Sequence, residues 1–187
     1  MTQPTAITDH ASLGKASPWV MRFAPLIAAG GAVLDVAAGG GRHARCLAQR
    51  GHPVTAVDRD TAALAQTPGL RVVEADLEDG SAWPLAGQQF AGVIVANYLH
   101  RPLFPLLIDS LLPGGVLIYE TFALGNEAFG RPRNPDFLLK PGELLQAFAS
   151  LTVIAYEHGR IDSPHPKVVQ RICAQAYPAT LNTLGGV

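Results

Sequence analysis

Lysine is scarce in this chain: Lys15, Lys140 and Lys167 are the only three in 187 residues. With a formal net charge of -1, nothing attracts the molecule as a whole to a phosphate backbone, which counts against nucleic acid as a partner. Cysteine is scarcer still. Cys46 and Cys173 are too few and too far apart for a disulfide framework or a zinc cluster, so no metal site is expected. Long apolar runs are also missing. The longest, Phe23–Leu34, stops at Asp35 and falls short of the roughly 20 residues that a spanning helix needs, so no membrane contact is expected. Residues 1–15 lack the basic-then-apolar order of a signal peptide, and the expected compartment is the reducing cytoplasm. Charged residues are 16% against 48% hydrophobic, which excludes a disordered chain. A chain this long buries roughly 70% of its unfolded surface and needs no staple. One domain over 1–187 is expected, with flexible tails at 1–15 and 178–187.

Between those tails the chain alternates. Ser17-Pro18 reads as an N-cap and first-turn proline, opening a helix through Trp19, Val20, Phe23, Leu26 and Ile27 that Gly30-Gly31 stops. Short apolar runs follow at Ala32–Val36, Val54–Val57, Leu70–Val73, Val93–Ala96 and Val116–Tyr119. They lack period-2 alternation, as strands buried on both faces of a parallel sheet do. Helices are expected between several of them: His43–Arg50 closed by Gly51, Thr61–Gln66 capped by Asp60, Pro102–Leu112, and Pro141–Phe148 with Leu144, Leu145 and Phe148 inward. This rhythm predicts an α/β, doubly wound, mostly parallel sheet. Thr152–Glu157 and Val168–Ala176 are separated by only about ten residues, too few for a parallel crossover, so they should form an antiparallel C-terminal strand hairpin.

The segment from Val33 to Ala44, VLDVAAGGGRHA, runs from a buried strand into a glycine turn and a helix start. Glycines there let main chain approach a ligand closely. Asp58 ends the second strand and Asp76 ends the third. Ligands of open α/β sheets bind beyond the carboxyl ends of the strands, where Asp35, Gly39, Gly41, Asp58 and Asp76 should converge. An aspartate can accept both hydroxyls of a ribose, and another an adenine amine, each bond worth roughly 1.5–3 kcal/mol. Gly39–Ala44 also fits G-x-G-x-x-A with Asp58 nineteen residues after Gly39, so an NAD(P)-binding sheet is the alternative nucleotide reading. Asp35 beside a pyrophosphate, the lack of a Tyr-x-x-x-Lys pair and the antiparallel hairpin argue against it.

These segments resemble a class I S-adenosylmethionine-dependent methyltransferase. Asp35–Gly41 is similar to the family's D-x-G-x-G-x-G loop, with Ala37 in place of the first glycine. Val54–Asp58, Glu74–Leu77 and Leu112–Leu117 (LPGGVL) resemble its second strand, its adenine segment and its turn before strand five, while its Phe-Asp opening of strand four reads Phe90-Ala91. The resemblance implies a Rossmann-like fold with S-adenosyl-L-methionine as cofactor. It implies cofactor contacts at Asp35, Ala37, Gly39, Gly41, Asp58, Arg59, Asp76, Leu77 and Asn97, with Asn97 either binding the methionine part or lining the methyl site. Gly41–Ala44 and Phe137–Leu144 further resemble the small bacterial tellurite-resistance and thiopurine-type methyltransferases.

The acceptor should lie near the end of strand four and the long connection after strand five. Tyr98, His100 and Arg101 are the candidate catalytic contacts, His100 as a base for a protonated acceptor. Arg131 and Arg133, in the Phe122–Leu139 loop, are candidates for holding an anionic acceptor. Arg22 is a candidate for the cofactor's carboxylate. A small-molecule acceptor is expected and RNA is the alternative. Methyl transfer is a direct displacement whose electrophile the cofactor brings, so the protein mainly positions and excludes water.

Overall fold

The computed structural model describes residues 14–178, so the expected tails at 1–15 and 178–187 lie almost wholly outside the described residues. Seven strands form one sheet: β1 (Val33–Val36), β2 (Val54–Asp58), β3 (Leu70–Glu74), β4 (Phe90–Ala96), β5 (Leu111–Phe122), β6 (Thr152–Ile161) and β7 (Lys167–Gln175). Their order is β3-β2-β1-β4-β5-β7-β6. The first five strands are parallel, while β7 runs antiparallel to both β5 and β6. The mostly parallel α/β sheet and its terminal hairpin are therefore as the sequence predicts. The chain order turns back at β1 and β4, the switch point where such sheets hold ligands.

Helices cover both faces. On one, α1 (Pro18–Phe23) and α2 (Arg42–Ala48) pack Trp19, Val20, Ala44 and Leu47 with Val33, Ile94, Ile118 and Cys173. On the other, α3 (Phe104–Asp109) and α4 (Glu143–Ala147) pack Phe104, Leu107, Leu144 and Phe148 with Leu34, Val93, Tyr119 and Ile172. Phe104, Tyr119 and Phe148 meet edge-on or tilted, with centroids 5.3–6.0 Å apart. Truncating a ring buried in such a cluster costs about 3–5 kcal/mol. Among the described residues, no helix is long and apolar enough to cross a membrane.

Several boundaries shift for local reasons. Ser17 caps α1 by accepting the Trp19 N–H at 3.1 Å, but the helix tightens to a 3-10 turn at Ala24–Leu26. Thr61–Gln66 forms turns, not a helix: Asp60 accepts the Ala62 N–H, one Ala65-to-Thr61 bond closes, and Pro68-Gly69 leave no room to continue. The helix expected over Pro102–Leu112 ends at Asp109, because Leu111 already pairs with Phe90. Leu145 faces outward, 38% exposed, while Leu144 and Phe148 are fully buried.

Candidate active site

The carboxyl ends of β1 to β4 share one edge, and β1 leaves it through a turn of left-handed residues. Ala37, Gly39 and Gly41 have φ of 51°, 54° and 75°. A Cβ on Gly41 would stand 2.6 Å from Leu64 Cδ2, so glycine there lets α2 seat against Leu64. Around Gly39 nothing lies within 4 Å of such a carbon, and its main chain is open. Asp58 braces the turn: Oδ2 accepts the Gly39 N–H at 2.7 Å and Oδ1 the Asp60 N–H at 3.0 Å.

Two cavities meet at Ala37. The first, about 420 Å³, is lined by Ala37, Asp58, Arg59, Asp76 and Leu77, with Tyr98 and Phe137 also on its wall. The second, about 360 Å³, is lined by Ala37, Gly39, Arg42, His43 and Asn97 among others. Both lie in the roughly 300–1,000 Å³ range of small-molecule sites. The structure thus brings seven of the nine expected cofactor residues to two adjoining hollows. Asn97 holds φ 58°, a conformation an asparagine tolerates, and its N–H donates to the Glu120 carbonyl. Tyr98 is half-buried, and burial together with the neighbouring Glu78 charge pushes its phenol above the usual range.

Asp35 and Gly41 stand behind the wall rather than on it. Asp35 is 1% exposed and its Oδ2 accepts the Ala44 N–H at 2.9 Å, holding the start of α2. Burial pushes its carboxyl up to about 7, against the opposing pull of the Ala44 bond and Arg42.

The acceptor-side expectations fare differently. His100 lines none of these cavities; it precedes the Arg101–Leu103 turn. Arg101 is committed elsewhere. Its guanidinium donates to both Glu143 carboxylate oxygens and to the carbonyls of Asp136 (2.6 Å) and Leu138 (3.0 Å), clamping the loop on either side of Phe137. Arg131 and Arg133 are exposed and line none of these cavities, because the loop turns them outward. Arg22 lies 3.7 Å from Glu157, over the Trp19 and Phe23 rings, and away from both hollows. Only Tyr98 of the catalytic candidates reaches a cavity. A smaller one, about 270 Å³, runs from Asn97 and Tyr98 between Leu99, Phe122, Pro132 and Phe137.

Phe137 was not legible as a site residue. An exposed aromatic in a polar loop carries no spacing signal, and its place depends on the Arg101 clamp.

Residues 33–115 match the family model described as a methyltransferase domain. No curated relative matches the chain. Among solved structures the fold resembles TehB from Haemophilus influenzae, with TM-score 0.69 at 14% identity over 84% of this chain. This chain spans 61% of that protein's length. It also resembles an S-adenosylmethionine-dependent methyltransferase from Mesorhizobium loti, with TM-score 0.65 at 17% identity, covering 83% of this chain and 96% of that one. A third likeness is the glycopeptide N-methyltransferase MtfA, complexed with S-adenosylhomocysteine, with TM-score 0.60 at 21% identity over 89% and 94% of the two chains. The matched segment is the one that builds β1 to β4 and the glycine turn, and the fold is the one these S-adenosylmethionine-dependent methyltransferases share.

Proposed function

We propose that this chain is an S-adenosylmethionine-dependent methyltransferase acting on a small-molecule acceptor, with the adenosine of that cofactor in the first cavity and the methionine tail in the second. The observation that carries the reading is the convergence of Asp58 and Asp76 on the hollow that Ala37 joins to the open Gly39 main chain. The donor set fits the group. Asp58 offers carboxylate oxygen to ribose hydroxyls, and Asp76 to an adenine amine, while Leu77 and Tyr98 give the base apolar walls. S-adenosylmethionine bound there would supply an electrophilic methyl group on a sulfonium sulfur for direct displacement by the acceptor. The chain orients that displacement. Asn97 lines the second cavity and would stand beside the methionine tail and its methyl group. Phe137 and Tyr98 wall the first cavity and would exclude water from the cofactor there.

Within the class we place the chain with the tellurite-resistance and thiopurine-type enzymes, on the likeness of Gly41–Ala44 and Phe137–Leu144. The test is a screen with methyl-labelled cofactor over small thiols, selenite, tellurite and phenols, read by mass spectrometry. A labelled small product is expected. Label entering RNA, with none in small molecules, overturns the reading.

A further inference from the structure

A third cavity, about 500 Å³, opens from the second through the shared residues Arg42 and Asn97. It is larger than the two assigned to the cofactor, and its charge is unlike theirs. Lys15, Arg42 and Lys167 line it, so two of the chain's three lysines come to this one hollow. Arg171 also lines it but is bonded to Glu157 and lies 4.6 Å over the Trp19 ring. Among the described residues, Lys15, Arg42 and Lys167 enter no ion pair; Lys167 rests 6.0 Å over the Phe122 ring.

The one carboxylate on the wall is Glu120, 5% exposed in β5. The β5–β7 register sets Glu120 opposite Arg171, and the β6–β7 register sets Arg171 opposite Glu157. Arg171 takes Glu157, which leaves Glu120 with no side-chain partner among the described residues. Glu120 faces the cavity with a carboxylate free to accept from a donor there. Its main-chain oxygen accepts the Asn97 N–H at 2.9 Å, so it sits beside the junction where the methyl group is delivered.

We propose that this cavity is the acceptor site, and that it takes a small anion whose charged group meets Lys15, Arg42 and Lys167 while its own O–H or N–H donor reaches Glu120. The inference rests on the cofactor placement proposed above and adds the acceptor's chemical class. Three cations against one carboxylate select an anion. The lone acceptor at Glu120 selects, among anions, those that also donate. The loop arginines Arg131 and Arg133 take no part.

The test is a titration of the S-adenosylhomocysteine-loaded enzyme with benzoate, benzamide, and 3- and 4-hydroxybenzoate, followed by NMR at the backbone amides of Ile161, Lys167 and Arg171. Benzoate should bind and its neutral isostere benzamide should not. Lys15→Gln with Lys167→Gln should weaken benzoate by about tenfold or more. At least one hydroxybenzoate should bind tighter than benzoate, and Glu120→Ala should erase that advantage without weakening benzoate itself. Equal binding of benzoate and benzamide, absent binding, or a hydroxyl advantage that survives Glu120→Ala overturns the proposal. Calorimetry with S-adenosylhomocysteine on the same samples separates the two readings. If that ligand fails to bind, the cofactor placement is at fault, and the benzoate comparison is read on the free protein.

Discussion

The Nε2 atom of His43 accepts the backbone N–H of Ser17 at 3.1 Å, tying the cap of α1 to the helix that follows the glycine turn. An accepting nitrogen must be unprotonated, so the bond requires a neutral ring. Burial first, and Arg42 second, lower its pKa to about 4. The unfolded chain therefore takes a proton near 6.5 that the folded chain refuses until about 4. This contribution to stability is whole above 6.5 and is lost as pH falls toward 4. His43→Gln keeps an accepting oxygen and cannot titrate. Urea unfolding from pH 7 to 4 should show the wild type losing stability relative to this variant. Parallel profiles would show that His43 does not govern the acid limb.

Asp35 works with the opposite sign. Its folded pKa of about 7 lies above the ordinary 3.8, so the folded state holds a proton that the unfolded state releases. Stability is lost as pH rises from about 4 to about 7. Asp35→Asn retains an oxygen for the Ala44 N–H and removes the titration. Over that window the wild type should fall relative to the variant, measured by the same unfolding series.

Asp58→Ala removes the carboxylate from the first cavity and from the Gly39 N–H. Hydrogen bonds to a charged acceptor are worth roughly 1.5–3 kcal/mol, so S-adenosylhomocysteine should bind about 10- to 100-fold more weakly by calorimetry. Unchanged affinity would remove Asp58 from the site.

Arg101 and His100 separate a clamp from a base. Arg101→Gln should cost about 1 kcal/mol or more of stability and speed proteolysis around Phe137, because Glu143 and two carbonyls lose their donor. His100→Ala should change turnover less than about twofold, since the ring reaches no cavity. A turnover collapse in His100→Ala with intact folding would restore the base.

Ala37→Gly should raise stability by about 0.5–1 kcal/mol, seen as a higher Tm. An alanine at φ 51° carries a steric cost of roughly 1–2 kcal/mol, which the greater freedom of unfolded glycine offsets only in part.

The parallel strands were readable because burial on both faces leaves unbroken apolar runs such as Val93–Ala96. The acids at strand ends were readable because chain spacing alone sets which edge they reach. Arg101 was not: a cation at the head of a turn looks the same whether it meets a ligand or two carbonyls. Nor was the meeting of Glu120 with Lys167 and Arg171 on one cavity wall, which depends on β7 running antiparallel beside β5. Leu111–Gly115 misled in another way. Its Pro-Gly-Gly reads as a turn, yet the backbone pairs with β4 on both sides of a bulge between Phe90 and Gly92. Leu145 sits at helical spacing from the core, but a five-residue helix presents too narrow a face to bury it.

The last strand among the described residues is not an edge strand: β7 slots between β5 and β6. Vectorial synthesis therefore delivers the nucleotide half, complete at Phe122, well before the piece that closes the sheet and carries Lys167 and Arg171. A nascent chain paused in that interval has an unfilled groove along β5, a ready docking edge for any stray strand. Rapid completion of the C-terminal hairpin is what seals it.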